Sequence, residues 1–145
     1  MRAVVQRVVQ GRVRVDEDVV GEIGPGLCVL VGVARGDTSA AGRSLASRLW
    51  HLRIFDDGTG VMNDSVAAVG GHVLVVSQFT LCGDTSRGRR PSWAAAAPAA
   101  EAEPIVEEVV AELRRLGATV ATGRFGRHMQ VDITNDGPVT VVVEA

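Results

Sequence analysis

Near its C-terminal end the chain reads Asp132-Ile133-Thr134-Asn135-Asp136-Gly137-Pro138-Val139-Thr140, then runs on through three valines to Glu144 and Ala145. Val131 to Thr134 has the composition of a strand, and so does Val139 to Val143. Between them stand four turn and loop formers. Pro138 cannot donate to a sheet ladder, and Gly137 weakens any strand it enters. The stretch therefore predicts two strands with an interruption of unusual chemistry. Two readings of that interruption stand side by side: a tight turn, or a backbone shaped to touch a ligand.

Working outward, the rest of the chain supplies strands and two helices. Ala3 to Val9 reads as a strand and Arg12 to Val15 alternates with period two, so a β-hairpin around Gly11 is expected. On that count Arg7 shares a face with Val5 and Val9, and an arginine on an apolar face needs carboxylates or carbonyls. Leu27 to Val33 and Val73 to Val76 are continuous apolar runs, the mark of strands buried on both faces. "RIFDDGTGVMN" reads as two short strands around an Asp-Gly turn. Ala118 to Thr122 reads as a strand. Ala41, Leu45, Leu49 and Leu52 follow cap residues Asp37 or Thr38 at helical spacing, which predicts a helix to about Leu49. Pro104 to Leu116 predicts the second helix. Pro104 would sit in its first turn, Arg114 and Arg115 in its last, and Gly117 after its end. The expected fold is α/β, a single domain of layered, mostly antiparallel β-sheets with two main helices.

Composition bounds the function. The 145 residues suffice for one well-filled core, and 46% hydrophobic residues fit a soluble globular chain. No apolar run approaches a membrane span, and the N-terminus lacks the apolar stretch of a secretory signal, so a cytoplasmic location and no membrane partner are expected. Cys28 and Cys82 are too few for a disulfide framework and have no ligand-like neighbours, so no metal is expected. A formal charge of −2 argues against a generic nucleic-acid binder. Yet all the basic charge is arginine, and it clusters: Arg87, Arg89 and Arg90 in "SRGRRPSW", Arg124 and Arg127 in "GRFGRHM". A local basic surface and ordinary solvated loops explain these clusters equally well.

Three places can carry chemistry. Ser77-Gln78-Phe79-Thr80 follows a buried strand, which would fix its groups rigidly. Ser77 and Thr80 are hydroxyl nucleophiles, Gln78 is a hydrogen-bond donor, and main-chain N–H groups at a strand end can hold an oxyanion. The plain alternative is a strand end whose hydroxyls serve the local backbone. A nucleophile needs a base, and none of His51, His72 and His128 has the sequence setting of one; all three read as structural or surface residues. Gly137-Pro138 is the second place. Phe79, Phe125, Met129 and Trp93 form the third, as packing or as a platform for a purine.

Together the motifs change the reading. "SQFTL" (Ser77–Leu81) and "NDGPVT" (Asn135–Thr140) resemble the two signature motifs of the D-aminoacyl-tRNA deacylase family, of the type with a cis Gly-Pro bond. "MRAVVQRV", "VGEIGPGL", "LRIF", "GRRPS" and "TGRFGRHM" also look like family segments, in order and along the whole chain. Cys82 and Trp93 depart from it, standing where tyrosine and phenylalanine are usual.

The resemblance implies β/β/α layers and a homodimer with each active site near the subunit interface. Phe79 and the run from Pro138 to Ala145 are the candidate interface contacts. It implies hydrolysis of D-aminoacyl-tRNA, and of glycine mischarged on alanine tRNA, with no cofactor. Substrate contacts carry over to Ser77, Gln78, Phe79 and Thr80, with Met129 beside the terminal adenosine; Gln78 and Thr80 are the catalytic candidates. Gly137 and Pro138 would form a rigid filter whose carbonyls exclude an L side chain, braced by Arg7. The family's favoured mechanism uses the 2′-OH of the tRNA rather than a protein nucleophile. Alternatives are a relative with a trans Gly-Pro bond that edits L-alanyl-tRNA, an esterase with Thr80 as nucleophile, and a non-catalytic RNA-binding module.

Overall fold

The N-terminal strand organises the molecule. In the computed structural model, which describes Met1–Ala145, β1 (Arg2–Val15) runs unbroken for 14 residues. It is flanked on one edge by β3 (Gly26–Gly32) over its first half and β2 (Asp18–Ile23) over its second. The other edge is taken along the full length by β8 (Gln130–Glu144). All three pairings are antiparallel. β6 (His72–Ser77) joins β3 in parallel, and β7 (Thr119–Thr122) joins β6 in parallel, which completes a six-stranded mixed sheet. The remaining strands, β4 (Arg53–Asp56) and β5 (Met62–Ser65), form the small hairpin expected around Asp57-Gly58.

The sheet curls until its two ends approach. A side chain at Gly21 of β2 would lie 2.3 Å from the Thr122 carbonyl of β7, so only glycine permits the closure. This nearly barrel-like curl encloses Val8, Val13, Ile23, Cys28, Leu74 and Val76. The opposite face of the same strands packs on α1 (Ser39–Trp50) and α2 (Ala99–Arg115), burying Leu27, Val29, Val73 and Val75 against Leu45, Leu49, Val109 and Leu113. β3 and β6 contribute odd residues to the helix side and even ones to the enclosed side, which explains their uninterrupted apolar sequence. Thr38 caps α1 with its hydroxyl. Gly117, at φ 103°, ends α2 with the paired bonds Gly117 N–H to Arg114 and Ala118 N–H to Leu113.

Three sequence expectations are corrected here. Ala3–Val9 and Arg12–Val15 are not two arms of a hairpin; the hairpin is β1–β2, turned at Asp16-Glu17 with Asp16 at φ 54°. Gly11 is mid-strand, where a side chain would meet Leu74 Cδ2 at 3.2 Å. Likewise Val131–Thr134 and Val139–Val143 are one strand, and Asn135 to Pro138 is a bulge inside it. Finally, α2 begins at Ala99, so Pro104 lies beyond the first turn. The alanines before it are strong helix formers, and Ala102 and Ile105 bury their faces in the core.

The bulge is lopsided. Gln6 pairs with Thr140 and Val8 with Asn135, so Asp136 to Val139 stand opposite Arg7 alone. Next along, Gln10 pairs with Thr134, which leaves Val9 of β1 as a surplus residue of its own. Both surpluses are odd, and each strand turns its faces over there. Ala3 and Val5 face the helices but Val13 faces the enclosed core, and Val139, Val141 and Val143 face the helices but Ile133 does not.

Candidate active site

At the carboxyl ends of the parallel strands β3 and β6 lies a cleft of about 630 Å³. Such ends are where open α/β sheets leave a crevice, because the crossovers diverge. Val31 and Val76 form its floor, Ala99, Ala102 and Val106 of α2 one wall, and the loop from Phe125 to Met129 another. Ser77, Gln78, Phe79 and Met129 all line it, so the structure brings together four of the residues singled out in the sequence. Phe125, of the aromatic set, lines it too. So does His128, which the sequence reading set aside; its place one residue before Met129 was the available signal.

The chain turns sharply after Ser77. Gln78 N–H donates to the Val31 carbonyl at 2.7 Å, and Phe79–Cys82 then form a single 3₁₀ turn. The turn ties off the N–H groups of Leu81 and Gly83, to Gln78 and Thr80. The N–H groups of Phe79 and Thr80 begin the turn and have no acceptor in the chain, as first-turn donors must unless something external takes them. Thr80 is exposed, and its hydroxyl accepts from the Gln78 amide. No imidazole or carboxylate bonds that hydroxyl, so the turn presents donors without a base. Phe79 is 55% exposed and meets Trp93 edge-on, with ring centroids 5.5 Å apart. Neither cysteine lines the cleft. Burial first, and the charge of Asp37 second, raise the Cys82 thiol above its ordinary range, and burial pushes Cys28 up to about 11.

Arg7, Gly137 and Pro138 lie elsewhere. Arg7 is level with Leu27 and Val73, near the amino ends of β3 and β6, whereas Ser77 is level with Val31 and Ala3. Four residues along a strand span about 13 Å, and the three strand spacings from β6 to β8 about 14 Å, so the motif is roughly 20 Å from Ser77 along the sheet. There the Gly137–Pro138 bond is cis. The Arg7 side chain is only 8% exposed. Its Nε donates to the Asp136 carbonyl at 3.1 Å and its Nη1 to the Ile54 carbonyl at 2.9 Å. Asp56 and Asp136 add carboxylate oxygens, both at 3.3 Å.

One residue of this region was missed in the sequence. The Asn135 side chain accepts from Val139 N–H at 2.8 Å and donates to the Val139 carbonyl at 3.3 Å, so one amide replaces the strand neighbour that the bulge removes. A turn-forming asparagine is common enough that only the register reveals this use. Gly137 itself, at φ 134°, admits no side chain: a Cβ would lie 2.7 Å from Val139 Cγ2 and 2.9 Å from Val139 N.

No three His, Cys, Asp or Glu side chains gather as a metal site, and no helix is long and apolar enough to cross a membrane. Comparison with known proteins gives the arrangement its context. Residues 4–144 match the family described as D-Tyr-tRNA(Tyr) deacylase. The chain is 61% identical to a D-aminoacyl-tRNA deacylase of Heliobacterium modesticaldum, covering 99% of this chain and 96% of that one. It is 57% identical to one of Nocardia farcinica, with both chains covered in full. Among solved structures it superposes on one described as "c-Myc DNA Unwinding Element Binding Protein" with a TM-score of 0.95 and 36% identity over the whole chain and 99% of the other. A probable eukaryotic D-amino acid tRNA deacylase shares the fold, with a TM-score of 0.85 at 18% identity over 99% of this chain and 98% of that one. Matched from near its first residue to near its last, this chain belongs to the D-Tyr-tRNA(Tyr) deacylase family.

Proposed function

We propose that the cleft hydrolyses the ester of D-aminoacyl-tRNA, and of glycine mischarged on alanine tRNA, releasing free tRNA and the amino acid. The observation that carries this reading is the gathering of Ser77, Gln78, Phe79 and Met129 around one cleft in a chain of this family. The terminal adenine stacks on Phe79 and lies against Met129. The ester carbonyl points at the unclaimed N–H groups of Phe79 and Thr80. Water adds to the carbonyl carbon, and those two donors hold the negative charge that develops on its oxygen. The neighbouring 2′-OH relays the water's proton to the departing ribose oxygen as the ester C–O bond breaks. Thr80 is no nucleophile in this scheme, and its lack of a base supports that. An aminoacyl ester is reactive enough for positioning and oxyanion donors to suffice.

The stereochemical filter needs the Gly137-Pro138 motif beside the amino acid, and within one chain the two are far apart. We infer that a second copy brings its motif to this cleft, so the working unit is a homodimer. A backbone clamped by Arg7 and Asn135 does not yield to a side chain pointing at it, so an L residue is excluded while a D residue points away and glycine offers nothing to clash. The test is deacylation of matched D-, L- and glycyl-tRNA, together with the mass in solution at micromolar concentration. Cleavage of the D and glycyl substrates by a dimer, with the L substrate spared, is expected. Cleavage of L-alanyl-tRNA would assign the chain to the relaxed-specificity alternative. A monomer with full selectivity would end the shared-site reading, and a trapped ester on Thr80 would end the RNA-assisted one.

A further inference from the structure

The chain holds fifteen basic side chains, every one an arginine. Most are already occupied. Arg2 meets Glu144, Arg12 meets Glu22, Arg14 meets Asp132, Arg43 meets Glu108 and Arg115 meets Glu112. Arg35, Arg48, Arg53 and Arg114 donate to main-chain carbonyls, and Arg7 holds the bulge. The exceptions sit in two loops. Arg87, Arg89, Arg90 and Arg124 have no acceptor in the chain, and Arg127 comes only within 3.8 Å of Asp16, itself 85% exposed.

One loop borders the cleft and the other is tied to it through Phe79. Arg124 and Arg127 flank Phe125 in the loop that forms one wall. Arg87, Arg89 and Arg90 project from a small hairpin closed by reciprocal bonds between Asp84 and Ser92, at 2.8 and 2.9 Å. That hairpin is fastened to the cleft by Trp93, whose ring lies against Phe79 and over Gly83, where a Cβ would be 2.4 Å from it. Along the first turns of α2 the charge is acidic: Glu103 and Glu107 edge the adjoining groove, with Arg114 further along the helix. Arg127 thus lines the cleft, while Arg124 and the α2 carboxylates Glu103 and Glu107 line the groove beside it.

We propose that these two loops are arms that grip the phosphates of the substrate's RNA beyond its terminal nucleotide, and that the acidic edge of α2 turns the RNA body toward the arms. This rests on the deacylase reading and extends it: the cleft reads the aminoacyl end, and the arms supply the affinity for a polyanion that a chain of charge −2 otherwise lacks. All five arginines are exposed, four have no partner in the chain and Arg127 has only the distant, exposed Asp16, so they meet phosphate with at most one weak ion pair to break.

The test compares two substrates of the wild-type enzyme and of a variant carrying Arg87→Ala, Arg89→Ala and Arg90→Ala. One substrate is full-length D-aminoacyl-tRNA, the other the same D-amino acid on a CCA trinucleotide. We expect kcat/KM on tRNA to fall at least tenfold more than on the trinucleotide. The slope of log kcat/KM against log salt for tRNA should flatten by about 2 to 3, one unit or slightly less per lost phosphate contact. Lysine at the three positions should restore most of the slope, because charge is what counts. Equal losses on both substrates would overturn the proposal and leave the loop as a mere buttress of Phe79, and an unchanged salt slope would overturn it too. Binding of uncharged tRNA, titrated against salt, judges the arms separately. If the wild type cleaves neither substrate, the deacylase reading fails while the arms stand or fall on that titration.

Discussion

The cleft and the bulge are opposites in how their polar groups are used. Around Phe79 and Thr80 the chain leaves donors free and an aromatic ring in solvent. On either side of Gly137-Pro138 the backbone is tied down: Arg7 takes the Asp136 carbonyl, and the Asn135 amide takes both main-chain groups of Val139. A region that binds and reacts must keep groups available for something outside the chain. A region that discriminates by shape must have its flanks held within the chain, because a backbone that is loose at both sides yields to what it should exclude. The two should therefore respond differently to mutation, the bulge through stability and selectivity together, the cleft through activity with stability intact.

Arg7→Ala tests the difference most severely. It strips a buried cation from two carbonyls and two half-exposed carboxylates, at a cost of about 3 kcal/mol. In a chain of this size that lowers Tm by about 6 to 12 °C, measured by thermal unfolding. The ratio of D- to L-aminoacyl-tRNA cleavage should fall at least tenfold. If selectivity survives while stability drops, the bulge is a structural joint only.

Phe79→Ala should show the converse. Loss of a stacking platform costs about 1 to 3 kcal/mol of binding, roughly 5- to 150-fold in kcat/KM. Tm should hardly change, because the ring is more than half exposed. A large Tm loss would mean that Phe79 is part of the fold through Trp93 rather than a surface kept for substrate.

Asn135→Ala is a milder probe of the bulge. Removing the bonds to Val139 should cost about 1 to 2 kcal/mol, seen as a lower denaturation midpoint with an unchanged slope. Selectivity should loosen less than in Arg7→Ala. The smallest effect is expected at Thr80→Ala, whose hydroxyl only accepts from Gln78. Activity on D-aminoacyl-tRNA should stay within about tenfold of wild type, a barrier change under about 1.4 kcal/mol. Complete loss would place a nucleophile in the cleft and erase the contrast drawn above.

Much of the fold was legible because periodicity is physical. The doubly buried β3 and β6, the capped α1 and the glycine-terminated end of α2 were all written in residue spacing. What failed were the two longest strands, and for one reason. Alternation identifies a face only while the count is unbroken, and Val9 and Asp136–Val139 break it by odd numbers. Gly11 looked like a turn because glycine's other use, yielding space to Leu74, depends on a strand far along the chain. Helix α2 was cut short because alanines and prolines before Pro104 resemble a loop when the core beneath them is unknown. The cleft residues were recognisable as a set, through motif resemblance. That Arg7 and Gly137 lie at the other end of the sheet was not, since distance across strands depends on pairings that no single segment encodes.

The odd surpluses on β1 and β8 also restrict how such a chain can change its length. Inserting or deleting one residue at this level in either strand would turn that strand over relative to its partner. Val139, Val141 and Val143 would then give up the helix side to Thr140, Val142 and Glu144. Two residues at a time would preserve the faces but would resize the bulge that Asn135 and Arg7 fit. Around Gly137 the chain should thus tolerate a change of residue more readily than a change of length, and insertions should be absorbed by loops such as the arginine hairpin, where no register is at stake.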